Sequence, residues 1–328
     1  MSEEWRAENF CREAPEGGLE YVSGQEVWKN LFYGCILEPE LEEWLCLPRA
    51  WCFLLSGESG VGKTYLARSF AAEMGQHGYH FLLLDGLDLT GDTEEESIQR
   101  IRSLFRTVSS GERFFLMIQG IERIRGEAAE VLFAGKLEEL KEQDVPVIVV
   151  ALTEAQEQIL SALQRVFYIC GMRLPDESSR TEYFKRFWSS SFLSRKPKFG
   201  AEKMAEITEG MNYTQLELVR LCVTGVMCEL GVEKLKSVAA FRSAVEAGTI
   251  QLSEKRFRQI TAAVRQGRTA VQIRQEMSEA ESRRQEIFET ESRKQEAAKA
   301  EIRGQGISES SAAELLFDID DDIPAPSW

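Results

Sequence analysis

The sequence predicts an α/β protein: a five-stranded parallel sheet sandwiched by helices, followed by a small all-helical domain and a C-terminal helical extension. Over the first half, short apolar runs alternate with segments of helical spacing, which is typical of buried parallel strands and their crossover helices. From about residue 176 the pattern becomes helical and strand-like runs cease. A chain of 328 residues can hold two or three domains and needs no disulfide or metal to support its core.

Five apolar runs account for the predicted sheet. They are Trp51–Ser56, His80–Asp85, Phe114–Gln119, Val145–Leu152 and Phe167–Leu174. One segment of helical spacing precedes the first apolar run, and the others lie between successive runs. These are Gln25–Trp44, Thr64–Met74, Glu94–Val108 and Ala128–Glu142. The alternation predicts strands that run in one direction and are covered by helices on both faces.

The chain divides into five predicted regions. Residues 1–17 are polar and are expected to form a flexible arm, residues 18–175 the α/β domain, and residues 176–252 the helical domain. Residues 253–303 form a charged helical extension, which could be a solvated single helix or one strand of a weak coiled coil. Residues 304–328 form an acidic tail without regular structure, with an apolar cluster inside it.

Composition limits the classes of partner and compartment. The net charge of -15 opposes binding to nucleic-acid phosphates. The seven cysteines show no C-x-x-C pairing, which indicates reduced thiols and a cytoplasmic location. His77 and His80 are too few for a zinc site. No apolar run approaches the ~18 residues of a membrane-spanning helix, so we expect no membrane insertion.

A glycine-rich motif follows the first predicted strand and precedes a helix, as the Walker A phosphate loop requires. It reads Gly57, Glu58, Ser59, Gly60, Val61, Gly62, Lys63, Thr64. Glycines let successive backbone amides face phosphates, and the following helix adds its N-terminal dipole. Lys63 is expected to reach the β- and γ-phosphates and Thr64 to ligate Mg²⁺. The motif predicts ATP and Mg²⁺ as cofactors.

The wider sequence resembles the AAA ATPases, within the branch that contains katanin- and spastin-like remodellers. Tyr21–Gly24 resembles the segment that lines the adenine pocket in relatives, and Ala162–Phe167 resembles the arginine-finger stretch. Leu174–Asp176 resembles the start of the helical lid, and Gly210–Leu216 the sensor 2 turn. The resemblance implies an AAA core with a helical lid. It also places Val22 and Tyr65 beside the nucleotide.

The Walker B segment departs from that family. Relatives end this hydrophobic strand with Asp-Glu, whereas here the strand leads into Gln119 and Gly120. An amide offers Mg²⁺ no carboxylate, and glycine has no side chain to polarise water. Because general-base assistance is worth ~10²–10⁴-fold, hydrolysis is expected to be slow or absent. Glu122, two positions later, is a candidate substitute.

Three other positions depart from the family. Thr153 lies where sensor 1 is expected, but Glu154 replaces the usual asparagine and brings an acid towards the γ-phosphate. A single residue, Thr90, remains where relatives carry a pore loop that grips substrate. Arg165 is the one arginine in the finger stretch. It is a candidate finger for a neighbouring subunit or an ordinary surface residue.

These features leave three functional hypotheses. The first is an ATP-binding structural or regulatory subunit of a homo- or hetero-oligomeric AAA ring, possibly beside an active paralogue. In it the tail, residues 308–328, docks a protein partner. The second is an active remodelling ATPase that uses Glu122 or a neighbour's acid. The third, a nucleic-acid-linked AAA loader, is disfavoured by the charge.

Overall fold

A computed structural model of the chain describes residues 5–35, 50–190, 199–235 and 252–268, with a few isolated positions between 237 and 290. Six strands form one sheet in the order β1-β3-β4-β5-β2-β6. The strands are β1 (Cys11–Arg12), β2 (Trp51–Ser56), β3 (His80–Asp85), β4 (Phe114–Gln119), β5 (Val147–Thr153) and β6 (Tyr168–Gly171). The strands β2 to β6 are parallel and confirm the predicted five-stranded sheet.

The sixth strand differs from the sequence-based expectation. Cys11 and Arg12 pair antiparallel with Leu82 and Phe81 on β3, at the edge of the sheet. Ala7, in the short turn before this strand, is fully buried in the core. Residues 5–12 therefore pack against the α/β domain instead of forming the flexible arm that their polarity predicts.

Helices cover both faces of the sheet and form the region after it. They are α1 (Glu26–Tyr33), α2 (Lys63–Gln76), α3 (Glu94–Val108), α4 (Glu127–Glu142), α5 (Ser161–Val166), α6 (Glu177–Ser190), α7 (Ala201–Ile207), α8 (Tyr213–Leu235) and α9 (Glu254–Arg265). Local chemistry fixes several of their starts. The Thr93 hydroxyl, for example, accepts from the backbone N–H of Glu96 and caps α3, whose first turn carries three glutamates.

Element boundaries shift where backbone chemistry requires it. The strand predicted from Val145 starts at Val147, because Pro146 has no N–H to donate to a ladder. The strand predicted over Phe167–Leu174 is shorter and ends at Gly171. The helix predicted over Gln25–Trp44 is observed as α1, and the part of it after residue 35 lies outside the described residues.

Alternate residues of the strands enter two separate apolar layers, as expected for a sheet covered on both faces. Leu54, Leu116 and Val149 lie in the layer beneath α3, α4 and α5. Phe53, Phe115 and Val150 lie in the layer beneath α1 and α2. These rows of fully buried side chains hold the strand ends in register at the edge where the candidate site lies.

The first part of the predicted charged extension forms helix α9, which packs against the helical domain. On α9, Phe257 packs edge-on against Phe184 with ring centroids 5.8 Å apart, and Arg265 donates to the Ile207 carbonyl at 2.9 Å. The compact unit accordingly runs to Gly267, past the boundary expected at residue 252. Most of the charged extension and the whole acidic tail lie outside the described residues.

We expect Phe70→Ala to lower the free energy of unfolding by ~3–5 kcal/mol, since it leaves a cavity in the layer beneath α2. The Phe70 ring stacks on Phe32 at 4.3 Å and meets Phe115 edge-on at 5.2 Å. The measurement is chemical denaturation followed by circular dichroism. Val27→Ala is the matched control, because Val27 is 70% exposed and should change stability by less than ~0.5 kcal/mol. Equal losses for the two variants would contradict this assignment.

Candidate functional site

The glycine-rich motif forms a tight loop between β2 and α2. Gly57, Gly60 and Gly62 adopt φ angles of 148°, 80° and 96°, which side-chain-bearing residues rarely adopt. A Cβ on Gly57 would also lie 2.5 Å from the Met172 carbonyl oxygen at the end of β6. Glycine is therefore required both by the backbone conformation and by the close approach of the neighbouring strand.

Lys63, the first residue of α2, is buried and turned back onto the loop. Its Nζ donates to the carbonyl oxygens of Gly57 at 2.6 Å and Glu58 at 2.8 Å. The Glu154 carboxylate lies 3.7 Å from the same nitrogen. Burial lowers the pKa of Lys63, while Glu154 and, more weakly, Glu122 oppose that shift. Glu154 thus lies beside the loop lysine, as its sequence position predicts.

The two residues after Lys63 are exposed on the first turn of α2. Thr64 lies at this turn with its side chain accessible, and the Tyr65 hydroxyl donates to the Tyr21 carbonyl at 3.3 Å. Val22, next to Tyr21, is buried. Tyr65 is thus linked to the residue that precedes Val22, and the placement of Val22 and Tyr65 beside a nucleotide stays a prediction.

The end of β4 carries an arrangement that sequence reasoning missed. Gln119 pairs with Asp85 on one side and Leu152 on the other, and Gly120 follows at φ 59°. A Cβ on Gly120 would lie 2.6 Å from Arg123 Nε. The Arg123 guanidinium also donates to Asp85 at 2.7 Å. A cationic side chain therefore covers the position that carries an acid in the Walker B pattern.

Glu122 lies on the short 3₁₀ turn Ile121–Arg123 that follows β4. Its Oε2 is buried and has no hydrogen-bond partner within the described part of the chain. Its charge contributes to the electrostatic environment of Lys63. An unpaired buried carboxylate oxygen is costly unless a water molecule or a bound group satisfies it.

The sensor 1 candidate is Thr153, and the arginine-finger candidate is Arg165. Thr153 is buried at the end of β5, where its hydroxyl accepts from the Ala155 N–H at 3.0 Å and so serves its own turn. Arg165 is exposed on α5, and its Nε donates to the Ser161 carbonyl of the same helix at 3.2 Å. Arg165 is presented to solvent and does not join the loop.

The lid contributes two residues that were not singled out. Asn212 Nδ2 donates to the Ser59 carbonyl at 3.2 Å, and the Tyr213 N–H donates to the Gly60 carbonyl at 2.9 Å. The resemblance of Gly210–Leu216 to a sensor 2 turn was the signal that could have found them. Their contact with the loop depends on tertiary packing, which sequence spacing does not specify.

A cavity of about 400 Å³ opens beside the loop. It is lined by Ser56, Gly57, Glu58, Glu154, Gln156, Glu157, Gly171, Met172 and Arg173.

Among the described residues, no helix has the length and apolar character needed to cross a bilayer. Within the same ranges, no group of three or more His, Cys, Asp or Glu side chains is arranged to hold a metal ion.

The donor set fits a nucleotide polyphosphate. Three loop glycines adopt positive φ angles of the kind that lets backbone amides face an anion, a 14-residue helix begins at the loop, and Lys63 supplies an ammonium group. Thr64 offers the hydroxyl expected of a Mg²⁺ ligand.

Comparisons with known proteins agree with this geometry. Residues 53–172 match the family described as "ATPase family associated with various cellular activities (AAA)". The Cell division cycle protein 48 homolog of Archaeoglobus fulgidus is 25% identical over 237 residues, which cover 67% of this chain and 31% of that protein. The chain thus spans less than a third of that relative's length.

A solved structure shows the same fold. The FIGL-1 AAA domain in complex with ADP aligns with a TM-score of 0.53 at 18% identity, covering 78% of this chain and 93% of that chain. These similarities are consistent with the katanin- and spastin-like resemblance. The family match covers the residues from β2 to just after β6 and includes the phosphate loop between β2 and α2, so residues 53–172 of this chain are similar to the AAA ATPase family.

Proposed function

We propose that this protein binds ATP with Mg²⁺, hydrolyses it slowly or not at all, and acts as a structural or regulatory subunit of an AAA assembly. One observation carries the proposal. The phosphate loop keeps the glycines and the lysine of the Walker A motif, whereas β4 ends at Gln119 and is followed by Gly120 with Arg123 lying over the glycine. Binding and hydrolysis rest on different parts of an AAA site, so one can persist without the other.

Binding would rest on the loop itself. Backbone amides of residues 57–62, the start of α2 and the Lys63 ammonium provide most of the phosphate contacts in such loops. Lys63 would exchange its bonds to two carbonyls for bonds to phosphate oxygens, which are stronger acceptors. Val22 and Tyr65 would flank the remainder of the nucleotide, and AAA proteins in general use ATP with Mg²⁺.

Hydrolysis would lack its usual assistance. Gln119 cannot contribute a carboxylate, and Gly120 cannot polarise a water molecule. The negative charge of Glu154, 3.7 Å from Lys63 Nζ, would compete with the γ-phosphate for the lysine. General-base assistance alone is worth ~10²–10⁴-fold, so its loss accounts for a slow enzyme.

A second candidate function, an active remodelling ATPase, is favoured by one observation at Glu122. Its Oε2 is buried and lacks a hydrogen-bond partner among the described residues, while its charge reaches Lys63. A bound Mg²⁺ ion with its water shell would satisfy that oxygen. In this case Glu122 takes over the task of the missing Walker B acid.

The first test measures ATP affinity and steady-state turnover of the full chain. We expect ATP to bind in the presence of Mg²⁺ and turnover to fall well below ~1 s⁻¹, the lower end of the usual range for enzymes. Lys63→Ala should abolish binding, which controls for contaminating ATPase. Turnover above that value, lost in both Lys63→Ala and Glu122→Gln, would reject this proposal and establish the second candidate.

The second test restores the Walker B acids. We expect Gln119→Asp with Gly120→Glu to raise turnover by less than about tenfold, because Arg123 lies over position 120 and φ there is 59°. Adding Arg123→Ala should raise turnover further, towards the ~10²-fold that a general base supplies. Arg102→Ala, a change at an exposed arginine on α3, is the matched control for the third substitution. Full recovery in the double variant would show that Arg123 is no obstacle.

The assembly proposal rests on the family and on the exposure of Arg165. AAA proteins typically form oligomeric rings whose sites lie between subunits. Arg165 is on the surface, where it could serve a neighbour's site even though its own site is impaired. The acidic tail, residues 308–328, remains the proposed docking segment for a protein partner and lies outside the described residues.

The third test is sedimentation velocity over a range of concentrations. We expect the sedimentation coefficient to rise when ATP and Mg²⁺ are added, since nucleotide would stabilise the subunit boundary. Lys63→Ala should not respond to ATP. A chain that remains monomeric at every concentration with ATP, alone and mixed with an intact AAA subunit, would refute the assembly proposal.

A further inference from the structure

The aromatic ring of Tyr213 lies directly against the phosphate loop. Tyr213 is the first residue of α8, and its N–H donates to the Gly60 carbonyl at 2.9 Å. A Cβ on Gly62 would lie 3.3 Å from Cδ2 of the tyrosine ring. The ring therefore covers the end of the loop that leads into α2, on the side where Gly62 presents no side chain.

The hydroxyl of Tyr213 crosses to the segment before the first long strand. It donates to the Ser23 carbonyl at 2.5 Å, and a Cβ on Gly24 would lie 3.1 Å from it. Ser179 of the lid forms a further hydrogen bond with the phenol. Burial raises the pKa of Tyr213, so the phenol stays protonated and keeps its donor role near neutral pH.

The same segment is held from its other side by Tyr65, whose hydroxyl donates to the Tyr21 carbonyl at 3.3 Å. Residues 21–24 are thus joined to α2 through Tyr65 and to the lid through Tyr213. Between them, Val22 and Ser23 are buried. The space bounded by these residues and Gly62 lies immediately beyond the phosphate loop.

In the proposed nucleotide site, the phosphates occupy the loop and the sugar and base extend beyond Gly62, along Val22 and Tyr65. That space already contains the Tyr213 ring. The phenol also engages the Ser23 carbonyl, an acceptor to which an exocyclic amine of a base could donate. The Tyr213 phenol, a flat ring with one hydrogen-bond donor, therefore fills a place that suits the flat base of a nucleotide.

We propose that Tyr213 occupies the base position of the nucleotide site, so that the base can bind only when the lid turn carrying Tyr213 moves away from residues 23 and 62. This inference rests on the proposed nucleotide binding and goes further, because it names what opposes the base. Occupancy of the site by tyrosine reduces the apparent affinity in proportion to the fraction of molecules that are open. It opposes ligands with a base and spares ligands made of phosphate alone.

The test compares ATP with inorganic tripolyphosphate on the full chain, in the presence of Mg²⁺, by isothermal titration calorimetry. We expect Tyr213→Ala to tighten ATP binding by about tenfold or more and to leave the affinity for tripolyphosphate within about twofold. Tyr213→Phe keeps the ring and loses the bond to Ser23. It should tighten ATP binding by roughly two- to tenfold.

Tyr33→Ala is the matched control, because Tyr33 is an exposed tyrosine on α1 with no described contact to the loop. It should change neither affinity. In the unsubstituted chain, ATP should accelerate hydrogen exchange at the Tyr213 amide, which the closed lid protects, and tripolyphosphate should not. Tyr213→Phe and this exchange measurement keep the test decisive if Tyr213→Ala fails to fold.

The two proposals fail in different ways. If the unsubstituted chain and both Tyr213 variants bind ATP equally, with no change in exchange, the base position is free and this inference is overturned. If Tyr213 variants bind ATP more weakly, tyrosine supports the base instead of opposing it, which also overturns it. If no variant binds either ligand, nucleotide binding itself is refuted, and this inference falls with it.

Discussion

The parallel pairing of β2 with strands on both sides is the constraint on which the site depends. Ser56, the last residue of β2, stands opposite Thr153 of β5 and Gly171 of β6. Its carbonyl accepts the Met172 N–H at 2.7 Å, so the residues after β6 stay hydrogen-bonded to β2 as far as its last residue. The phosphate loop therefore begins beside residues whose positions are fixed by the sheet. A one-residue slip would move every strand end at this edge and separate the groups that the loop needs.

Carbonyl groups of the loop accept hydrogen bonds from the Lys63 ammonium, and a bound phosphate would have to replace these bonds. Lys63 is buried, and burial disfavours its charge, yet two loop carbonyls and the Glu154 carboxylate surround the ammonium. A phosphate group would relieve the same desolvation more strongly because it carries more charge. Glu154 reduces the gain from binding a phosphate, because its carboxylate already stabilises the Lys63 ammonium when no phosphate is present. Under the proposed function, Glu154 would therefore affect binding as well as hydrolysis.

Much of the fold and part of the site could be predicted because they depend on local pattern. The Walker A loop is a local motif, and the apolar runs at Trp51–Ser56 and Phe114–Gln119 have the short length that favours buried strands over helices. The edge strand at Cys11 and the position of Arg123 could not be predicted in this way. A two-residue strand has no periodicity, and the approach of Arg123 to Gly120 depends on a left-handed turn after β4. Tyr213 was noted only as part of a turn, because its distance from Ser23 is set by the packing of the lid.

The altered positions act on different steps and through different physics. At the end of β4, Gln119 and Gly120 replace the two acids of the Walker B pattern. Gly120 has a left-handed backbone that an acid residue rarely adopts, and the Arg123 side chain lies over it. At the lid, Tyr213 adds contacts: it joins Gly60 of the loop to Ser23 of the preceding segment, which strengthens the closed arrangement. A group that stabilises the closed lid and competes with the base couples nucleotide binding to lid position, because only one of the two can be satisfied at a time. Such coupling does not require hydrolysis. If the proposed function holds, a chain with a weakened chemical step would therefore still convert nucleotide binding into a change of lid position that a neighbouring subunit could sense.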